Sequence, residues 1–431
     1  MRKSNWLYVI NQAFTMDLVF WIVIQNIFLT TVKNFSAFEI VLCTMIGMAI
    51  ALAFYPLVNI VARKTPRRFS LIARAAMYLI AMIMFTFCNT VYGIATAQII
   101  YIIGAMLGTV QNVMLKNNLK AQNREGEYVK WQSYGQLSYS VLTLAISLVS
   151  GLLFNVNPYL PMILGIVLSV FGLVTSILYK DSSIENSEKF ESQPMVGKTS
   201  LFKNKTMVII LLMNILLVGV YIFMQTKASL LIQEVCFASN IELAKTSLIV
   251  TLLVALTRLI RVISNLVFAK INNKFKNQSV VIYVISGAML LSNVLFAIGG
   301  LINANYILKL VIITVGFCLI TGFRDVYNVL ENKAIITNIA PNKQQQAFVL
   351  LSVYHNGGRV VIEGICLAGL GFFPLEIVYA GLIVLSVAQI FVSIKMAKLL
   401  RRKPEDILLP THKIEETSES INIDNDIEMK I

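Results

Sequence analysis

Residues 157–179 read NPYLPMILGIVLSVFGLVTSILY, a run without a single charged side chain. The hydrocarbon core of a bilayer is about 30 Å thick, and an α-helix needs about 20 apolar residues to cross it. Only helices and closed barrels satisfy all their backbone hydrogen bonds in lipid. Since this run is too long and too uniformly apolar for a barrel strand, it predicts a membrane-spanning helix.

Comparable apolar runs fill the chain on both sides of this one. Hydrophobic residues make up 57% of the sequence and charged residues 13%, against about 25% charged residues in soluble domains. The pattern predicts an all-α integral membrane protein with twelve spans. The spans are expected at 6–32, 37–62, 69–91, 93–115, 131–154, 157–179, 206–232, 245–269, 279–302, 305–328, 347–372 and 376–399.

The basic residues of the short loops predict the orientation, because cytoplasmic loops carry an excess of Lys and Arg. One set of loops holds Arg2, Lys3, Arg63, Lys64, Arg67, Arg68, Lys116, Lys120, Arg124, Lys130, Lys270, Lys274, Lys276, Lys333, Lys343, Arg401, Arg402 and Lys403. The opposite set has only Lys33, Lys245 and Lys309. Both termini are therefore expected in the cytoplasm, in a multi-pass protein of the cytoplasmic membrane.

The net charge of +14 does not indicate nucleic-acid binding, since basic loops beside a bilayer are the expected orientation signal and meet anionic lipid headgroups. Catalytic and cofactor motifs are absent from the sequence. It contains no phosphate-binding GxxxxGK[ST] run, no HExxH and no GxSxG. The five cysteines are scattered and show neither a disulfide framework nor metal-ligand spacing. We expect no enzyme activity, no cofactor and no bound metal.

A polar stretch divides the twelve predicted spans into two sets of six. We predict an N-terminal six-helix bundle at 1–179, a cytoplasmic linker at 180–205, a C-terminal six-helix bundle at 206–400 and a disordered acidic cytoplasmic tail at 401–431.

The two halves also share short local similarities. The ends of spans 4 and 10 read QNVM (111–114) and YNVL (327–330), and those of spans 5 and 11 read SGLLF (150–154) and AGLGF (368–372). Equal topology and nearly equal offsets favour a duplicated unit. Parallel repeats of this kind suit alternating access around a site at the bilayer midplane.

This arrangement resembles the major facilitator superfamily over residues 1–400. The loop after span 2 reads YPLVNIVARK (55–64), against a family pattern of about G-x-L-A-D-R-x-G-R-K. Leu57, Arg63 and Lys64 match, Asn59 replaces the acid, and both glycines are missing. The resemblance implies a monomeric secondary transporter in which Asn59, Arg63 and Lys64 help to gate one conformation, with a weaker latch because Asn59 is neutral.

Further gate or loop contacts are expected at Arg74, Arg324 and Asp325, near the cytoplasmic ends of spans 3 and 10. In the resembled family, spans 1, 4, 7 and 10 line the central cavity, and spans 2, 5, 8 and 11 form the interface between the halves.

Ionisable residues at membrane depth are the candidate functional residues, because a charge at the bilayer centre costs at least about 2.5–3.5 kcal/mol. Asp17 lies near the middle of span 1, with Asn11, Gln25 and Asn26 at helical spacing. It is either a proton-coupling carboxylate or a structural acid paired to an Arg or an amide.

Spans 8 and 11 carry the other candidates. Arg258 and Arg261 share one face of span 8, and His355, Arg359 and Glu363 share one face of span 11. The arginines match a carboxylate or phosphate; alternatively they pair with Glu363 or Asp17. His355 and Glu363 are candidate proton carriers, or packing and charge-neutralising groups.

Polar uncharged residues on spans 1, 5 and 7 are candidates for orienting a substrate by hydrogen bonds. They are Asn26, Tyr139, Asn214, Tyr221 and Gln225. Lys227, also on span 7, is expected near the outer surface with its ammonium group reaching towards water.

Three mid-membrane arginines against two acids favour an anionic or zwitterionic solute. We predict a secondary active transporter of such a small-molecule solute, coupled to protons or to another ion. The same fold suits a multidrug or peptide exporter, and a non-transporting membrane sensor or assembly partner is the alternative of another class.

Overall fold

The computed structural model describes residues 2–124, 127–180, 205–271, 279–339 and 341–401. The predicted linker and tail lie almost entirely outside these residues. Within them the chain is helical and contains no strand. The helices are α1 (Arg2–Thr15), α2 (Val19–Thr31), α3 (Ala37–Lys64), α4 (Arg67–Phe87), α5 (Val91–Met106), α6 (Val110–Lys120), α7 (Tyr128–Val156), α8 (Leu160–Leu178), α9 (Lys205–Met213), α10 (Val220–Ala238), α11 (Leu243–Ile271), α12 (Ser279–Leu301), α13 (Tyr306–Asn338), α14 (Pro341–Leu370) and α15 (Leu375–Arg401).

Eleven segments of the described chain are long and apolar enough to cross a membrane. They match eleven of the predicted spans. The remaining predicted span, 347–372, corresponds to α14, which is a continuous helix but carries His355, Arg359 and Glu363 on one face. The all-helical membrane fold is confirmed, while twelve crossings and cytoplasmic termini stay predictions.

Three predicted spans are interrupted rather than continuous. Span 1 breaks between α1 and α2, where the Asp17 carboxylate accepts a hydrogen bond from the backbone N–H of Leu18 at 3.0 Å and so competes with the helical pattern. A 3₁₀ turn at Leu107–Thr109 joins α5 to α6, and a π-helical segment at Asn214–Gly219 joins α9 to α10. The sequence pattern did not predict these breaks.

Side-chain caps fix where several helices begin. Ser36 and Glu39 form a capping box at α3: the Ser36 hydroxyl accepts from the Glu39 N–H at 3.2 Å, and the Glu39 carboxylate accepts from the Ser36 N–H at 2.8 Å. The side chains of Thr90 and Asn305 also accept from backbone N–H groups at the starts of α5 and α13. These caps satisfy backbone donors that the helix itself leaves open.

The helices pack as two groups with a long interface. Helices α1–α8 pack among themselves, as do α9–α15, and the two groups meet where α7 packs on α11, α3 on α14 and α2 on α10. We call the end where α1 begins and α15 ends the basic end, and the other the opposite end.

Candidate functional site

Asp17 occupies the break between α1 and α2, near the middle of the first group. Its carboxylate accepts a hydrogen bond from the Tyr101 hydroxyl of α5. Two cations, Arg258 and Arg74, lie close enough to attract it electrostatically. Asp17 is therefore held by a tyrosine and a backbone N–H, while Arg258 comes from the other group of helices.

Arg74 supports this break from α4 and is 6% exposed. Its guanidinium donates to the Gln111 side chain at 3.1 Å and to the Met16 carbonyl at 3.2 Å. It also lies 5.3 Å from the centre of the Tyr78 ring. The prediction of a gate or loop contact misplaced Arg74, because the residue is buried beside the Asp17 break and satisfies a carbonyl that the interrupted helix leaves open.

An amide network continues from Arg74 across the first group. Gln111 donates to the side-chain oxygen of Asn11 at 2.8 Å, and Asn11 donates to the Ser176 hydroxyl at 2.8 Å. Asn11 is thus tied to α8 rather than to Asp17. This network fixes the end of α1 before the break and makes Asn11 a packing residue.

A second charged cluster, formed by Lys227, Glu363 and Arg359, lies between α10 and α14. Lys227 is 0% exposed and Glu363 is 2% exposed. Lys227 and Arg359 both attract the Glu363 carboxylate, which is also hydrogen-bonded by the Thr44 side chain of α3. The cluster therefore connects the second group of helices to the first.

Nζ of Lys227 and Oε2 of Glu363 are buried and have no hydrogen-bond partner among the described residues. The expectation that Lys227 reaches towards the outer surface is wrong, because α10 turns its side chain inwards against α14 and α3. Buried polar atoms without partners are costly in an apolar interior. A buried lysine facing a buried acid is therefore a functional-site candidate that the sequence reasoning missed.

The segment with the predicted polar face forms the continuous helix α14. His355, Arg359 and Glu363 therefore lie along one side of it at successive turns. His355 and Arg359 are half-buried, and Glu363 is buried. Glu363 is attracted more strongly by Lys227 of α10 than by Arg359 one turn away. The expected neutralisation of Glu363 by Arg359 is therefore only part of the arrangement.

The two arginines of α11, Arg258 and Arg261, are both half-buried. Of the two, Arg258 attracts the Asp17 carboxylate electrostatically. Its Nε atom is buried without a hydrogen-bond partner among the described residues. Within the described side chains, Arg258 thus has unused hydrogen-bonding capacity at the interface between the groups.

Asn26 joins the two groups at the opposite end. It donates to the Ser229 hydroxyl at 2.6 Å and to the Thr226 carbonyl of α10. One turn further, Thr30 donates to Gln233 at 2.7 Å. These contacts engage the Nδ2 atom of Asn26, while its Oδ1 atom is buried without a hydrogen-bond partner among the described residues. The part of Asn26 in substrate binding stays a prediction.

Asn155 adds a similar link between α7 and α11. It donates to the Ala244 carbonyl at 3.0 Å and accepts from the Ser247 hydroxyl at 2.5 Å. We call the contacts of Asn26, Thr30 and Asn155 the polar seam. The seam joins the two groups of helices at the opposite end.

The remaining substrate-contact candidates have different surroundings. Asn214 donates from Nδ2 to the Glu331 carboxylate at 2.8 Å within the second group, and its Oδ1 atom is buried without a hydrogen-bond partner among the described residues. Tyr139 and Tyr221 are buried, at 7% and 2% exposed, and Gln225 is half-buried. Their part in binding stays a prediction.

The gating candidates fall outside the side chains that the structure describes. They are Asn59, Arg63, Lys64, Arg324 and Asp325. Tyr101, Tyr78 and Glu331 are among the side chains of this region that were not singled out from the sequence. Tyr78 follows Arg74 by one helical turn, a spacing that signals a side-chain contact; Tyr101 becomes a partner of Asp17 only through the packing of α5.

Comparison with known proteins gives a likeness in structure alone. No family model and no curated sequence matches the chain. The nucleoside transporter NupG is similar at 15% identity and a TM-score of 0.68, covering 93% of this chain and 100% of NupG. A POT family transporter in complex with 5-aminolevulinic acid is similar at 11% identity and a TM-score of 0.69, covering 93% and 97% of the two chains.

A D-xylose-proton symporter is similar at 14% identity and a TM-score of 0.64, covering 90% of this chain and 96% of the symporter. At these identities the likeness establishes the fold and not the substrate. The resemblance drawn from the sequence is confirmed at the level of the fold.

Proposed function

We propose that this chain, which has the fold of the major facilitator superfamily, is a secondary active transporter of a small anionic or zwitterionic solute. It is proposed to act as a monomer in the cytoplasmic membrane, with both termini in the cytoplasm. Its structural neighbours include a nucleoside transporter and a xylose-proton symporter, which supports transport as the general activity.

The excess of half-buried and buried cations over acids among the described side chains at the interface is the observation that carries the substrate class. The described side chains there include Arg258, Arg359 and the unexpected Lys227, against Asp17 and Glu363. A buried charge is costly unless it is paired. An anionic group on the solute can pair with Arg258, whose Nε atom has no hydrogen-bond partner among the described residues, and the planar guanidinium suits a carboxylate or phosphate.

Alternating access is proposed to proceed by rocking of residues 1–179 against 206–400. The polar seam supports a conformation closed at the opposite end, which leaves the basic end as the route to the midplane. Opening the opposite end then requires the seam of Asn26, Thr30 and Asn155 to separate.

Coupling is proposed to use protons, with Asp17 as the first carrier and Glu363 and His355 as further candidates. Asp17 sits at a helix break with Arg258 nearby, so a change in its charge alters the field at a proposed substrate-binding arginine. In the same way, a change in the charge of Glu363 alters the electric field at Arg359 and Lys227.

The test is proton flux into proteoliposomes that contain a pH-sensitive dye, with a panel of carboxylates, phosphate esters, sugars and cationic drugs. A signal with anions that is lost in Asp17→Asn and kept in Lys245→Met supports proton-coupled anion transport. Lys245 is a matched control because it is exposed at the opposite end. A signal with cationic or apolar compounds alone contradicts the proposal and favours an exporter.

A further inference from the structure

Glu331 of α13 is a buried carboxylate that the proposed mechanism does not use. It is 3% exposed. Its Oε1 atom accepts hydrogen bonds from the Asn214 amide at 2.8 Å and from the Tyr327 hydroxyl at 3.0 Å. Both donors are neutral. A carboxyl group in this setting is desolvated without gaining an opposite charge.

Among the described side chains, the groups that act on Glu331 are Asn214 and Tyr327, and no cation of the helices packed against α13 is one of them. Arg261 of α11, which is half-buried, is likewise not one of them. Arg258 of α11 acts on Asp17, and Arg359 of α14 and Lys227 of α10 act on Glu363. The lysines of α9 and α15 towards the basic end are exposed: Lys205, Lys395 and Lys398. Tyr283 is the tyrosine of α12 and is exposed. Among the described side chains, Tyr327 is the titratable group that contacts Glu331.

Asn214, the amide partner of Glu331, lies where the helical geometry of span 7 changes. Asn214 is the first residue of the π-helical segment Asn214–Gly219, and π turns inside helices occur frequently at functional sites. The hydrogen bond to Glu331 therefore holds the point where α9 passes into this segment.

Helix α14 packs directly on the π segment. A Cβ atom added to Gly358 would lie 3.0 Å from Cα of Ile215, and one added to Gly219 would lie 3.1 Å from the Gly358 carbonyl oxygen. Gly358 precedes Arg359. A contiguous set of contacts thus runs from Glu331 through Asn214 and the π segment to the polar face of α14.

We propose that Glu331 is a proton-binding site separate from Asp17 and Glu363, and that its protonation keeps the π segment packed against α14. Loss of the proton leaves a buried negative charge between two neutral donors. That charge is relieved by water or by movement of Asn214 away from its present position, which loosens the π segment. One proton is exchanged with solvent and no covalent bond changes.

The first test is an infrared titration of the purified protein in lipid nanodiscs without any substrate. The ligand is the proton itself, so the result does not depend on the proposed transport function. The difference spectrum of wild type minus Glu331→Gln should contain a protonated carboxyl band that disappears as the pH rises. The matched control Glu242→Gln removes an exposed carboxylate and should leave that band in place. A difference spectrum that shows only an ionised carboxylate from about pH 5 to 8 overturns the proposal.

The second test follows hydrogen exchange in a peptide that covers residues 214–219, corrected for the intrinsic pH dependence of exchange. In wild type, exchange should become faster as the pH rises across the infrared transition, and in Glu331→Gln this dependence should be lost. The wild-type measurement stands even if Glu331→Gln does not fold. Exchange in wild type that does not change with pH overturns the link between Glu331 and the π segment.

Discussion

Lys227 and Glu363 carry opposite charges on the neighbouring helices α10 and α14, and both are buried, although Nζ of Lys227 and Oε2 of Glu363 have no hydrogen-bond partner in the part of the chain that the structure describes. Thr44 of the first group contacts the same carboxylate. The pair therefore lies next to the interface between the two groups of helices, which we propose rock against each other.

Lys227→Met should destabilise the protein and abolish transport. Removing one partner of a buried charge pair typically costs about 3–5 kcal/mol, because the other charge stays buried. The double variant Lys227→Met with Glu363→Gln removes both charges and should recover part of that stability. Thermal unfolding in nanodiscs measures both effects.

The control for this pair is Lys245→Met. Lys245 lies 3.6 Å from Glu242 on the exposed opposite end, where an ion pair contributes about 0–1 kcal/mol. Equal losses for Lys227→Met and Lys245→Met would show that the buried charge at position 227 has no special importance.

Asp17→Asn should abolish proton-driven accumulation and leave counterflow of the substrate in place. The amide keeps a similar shape and still accepts the hydrogen bond from the Leu18 N–H, but it cannot exchange a proton. Uptake under an imposed pH gradient and substrate exchange at equal pH separate the two activities.

Tyr101→Phe serves as the companion variant, since it removes the hydroxyl that contacts Asp17 and keeps the titratable carboxyl. It should change the pH profile of uptake without abolishing coupling. Full proton-driven accumulation by Asp17→Asn would rule out Asp17 as the carrier.

Asn26→Leu should shift the conformational equilibrium towards an opening at the opposite end. It removes the hydrogen bonds to Ser229 and to the Thr226 carbonyl, each contributing about 0.5–1.5 kcal/mol. A population change of about tenfold corresponds to about 1.4 kcal/mol.

Electron paramagnetic resonance distances between spin labels at Tyr92→Cys and Phe372→Cys measure this shift in a cysteine-free background. Both positions are exposed at the opposite end, 84% and 85%, one in each group of helices. An unchanged distance distribution in Asn26→Leu would mean that the polar seam does not control this end.

Gly151→Ala should separate α7 from α11 and reduce stability. A Cβ atom at Gly151 would lie 2.2 Å from the Thr251 hydroxyl oxygen, and overpacking of this kind typically costs about 1–3 kcal/mol. Thermal unfolding and transport rate both report the effect.

Gly287→Ala is the matched control, because a Cβ atom there meets nothing within 4 Å. It should be neutral or stabilising by up to about 1 kcal/mol, the difference in helix preference between Ala and Gly. Similar outcomes for the two variants would contradict a close packing of α7 on α11 at Gly151.

Much of the fold was predictable because length and hydropathy decide which segments cross a bilayer. The run at 157–179 is one example, and α8 (Leu160–Leu178) occupies it. The same reasoning placed His355, Arg359 and Glu363 on one face, since helical spacing alone fixes that relation.

The partners of these residues were less predictable. Asn214 was a substrate-contact candidate, yet its amide bonds to Glu331, 117 positions away. Lys227 was expected at the water boundary, yet it is fully buried. Hydropathy gives the depth of a residue along its own helix, but it does not give the helix that packs on each face.

The sequence by itself determined a helical membrane protein with a polar face on α14 and an acid in the middle of the first span. It did so because an apolar solvent imposes the same requirement on every span: backbone hydrogen bonds must be satisfied within the helix. Only the tertiary structure decided that Tyr101 contacts Asp17, that Lys227 faces Glu363 and that Asn26 joins the two groups of helices at the opposite end. These contacts join residues far apart in the chain, and they depend on the rotation and packing of whole helices.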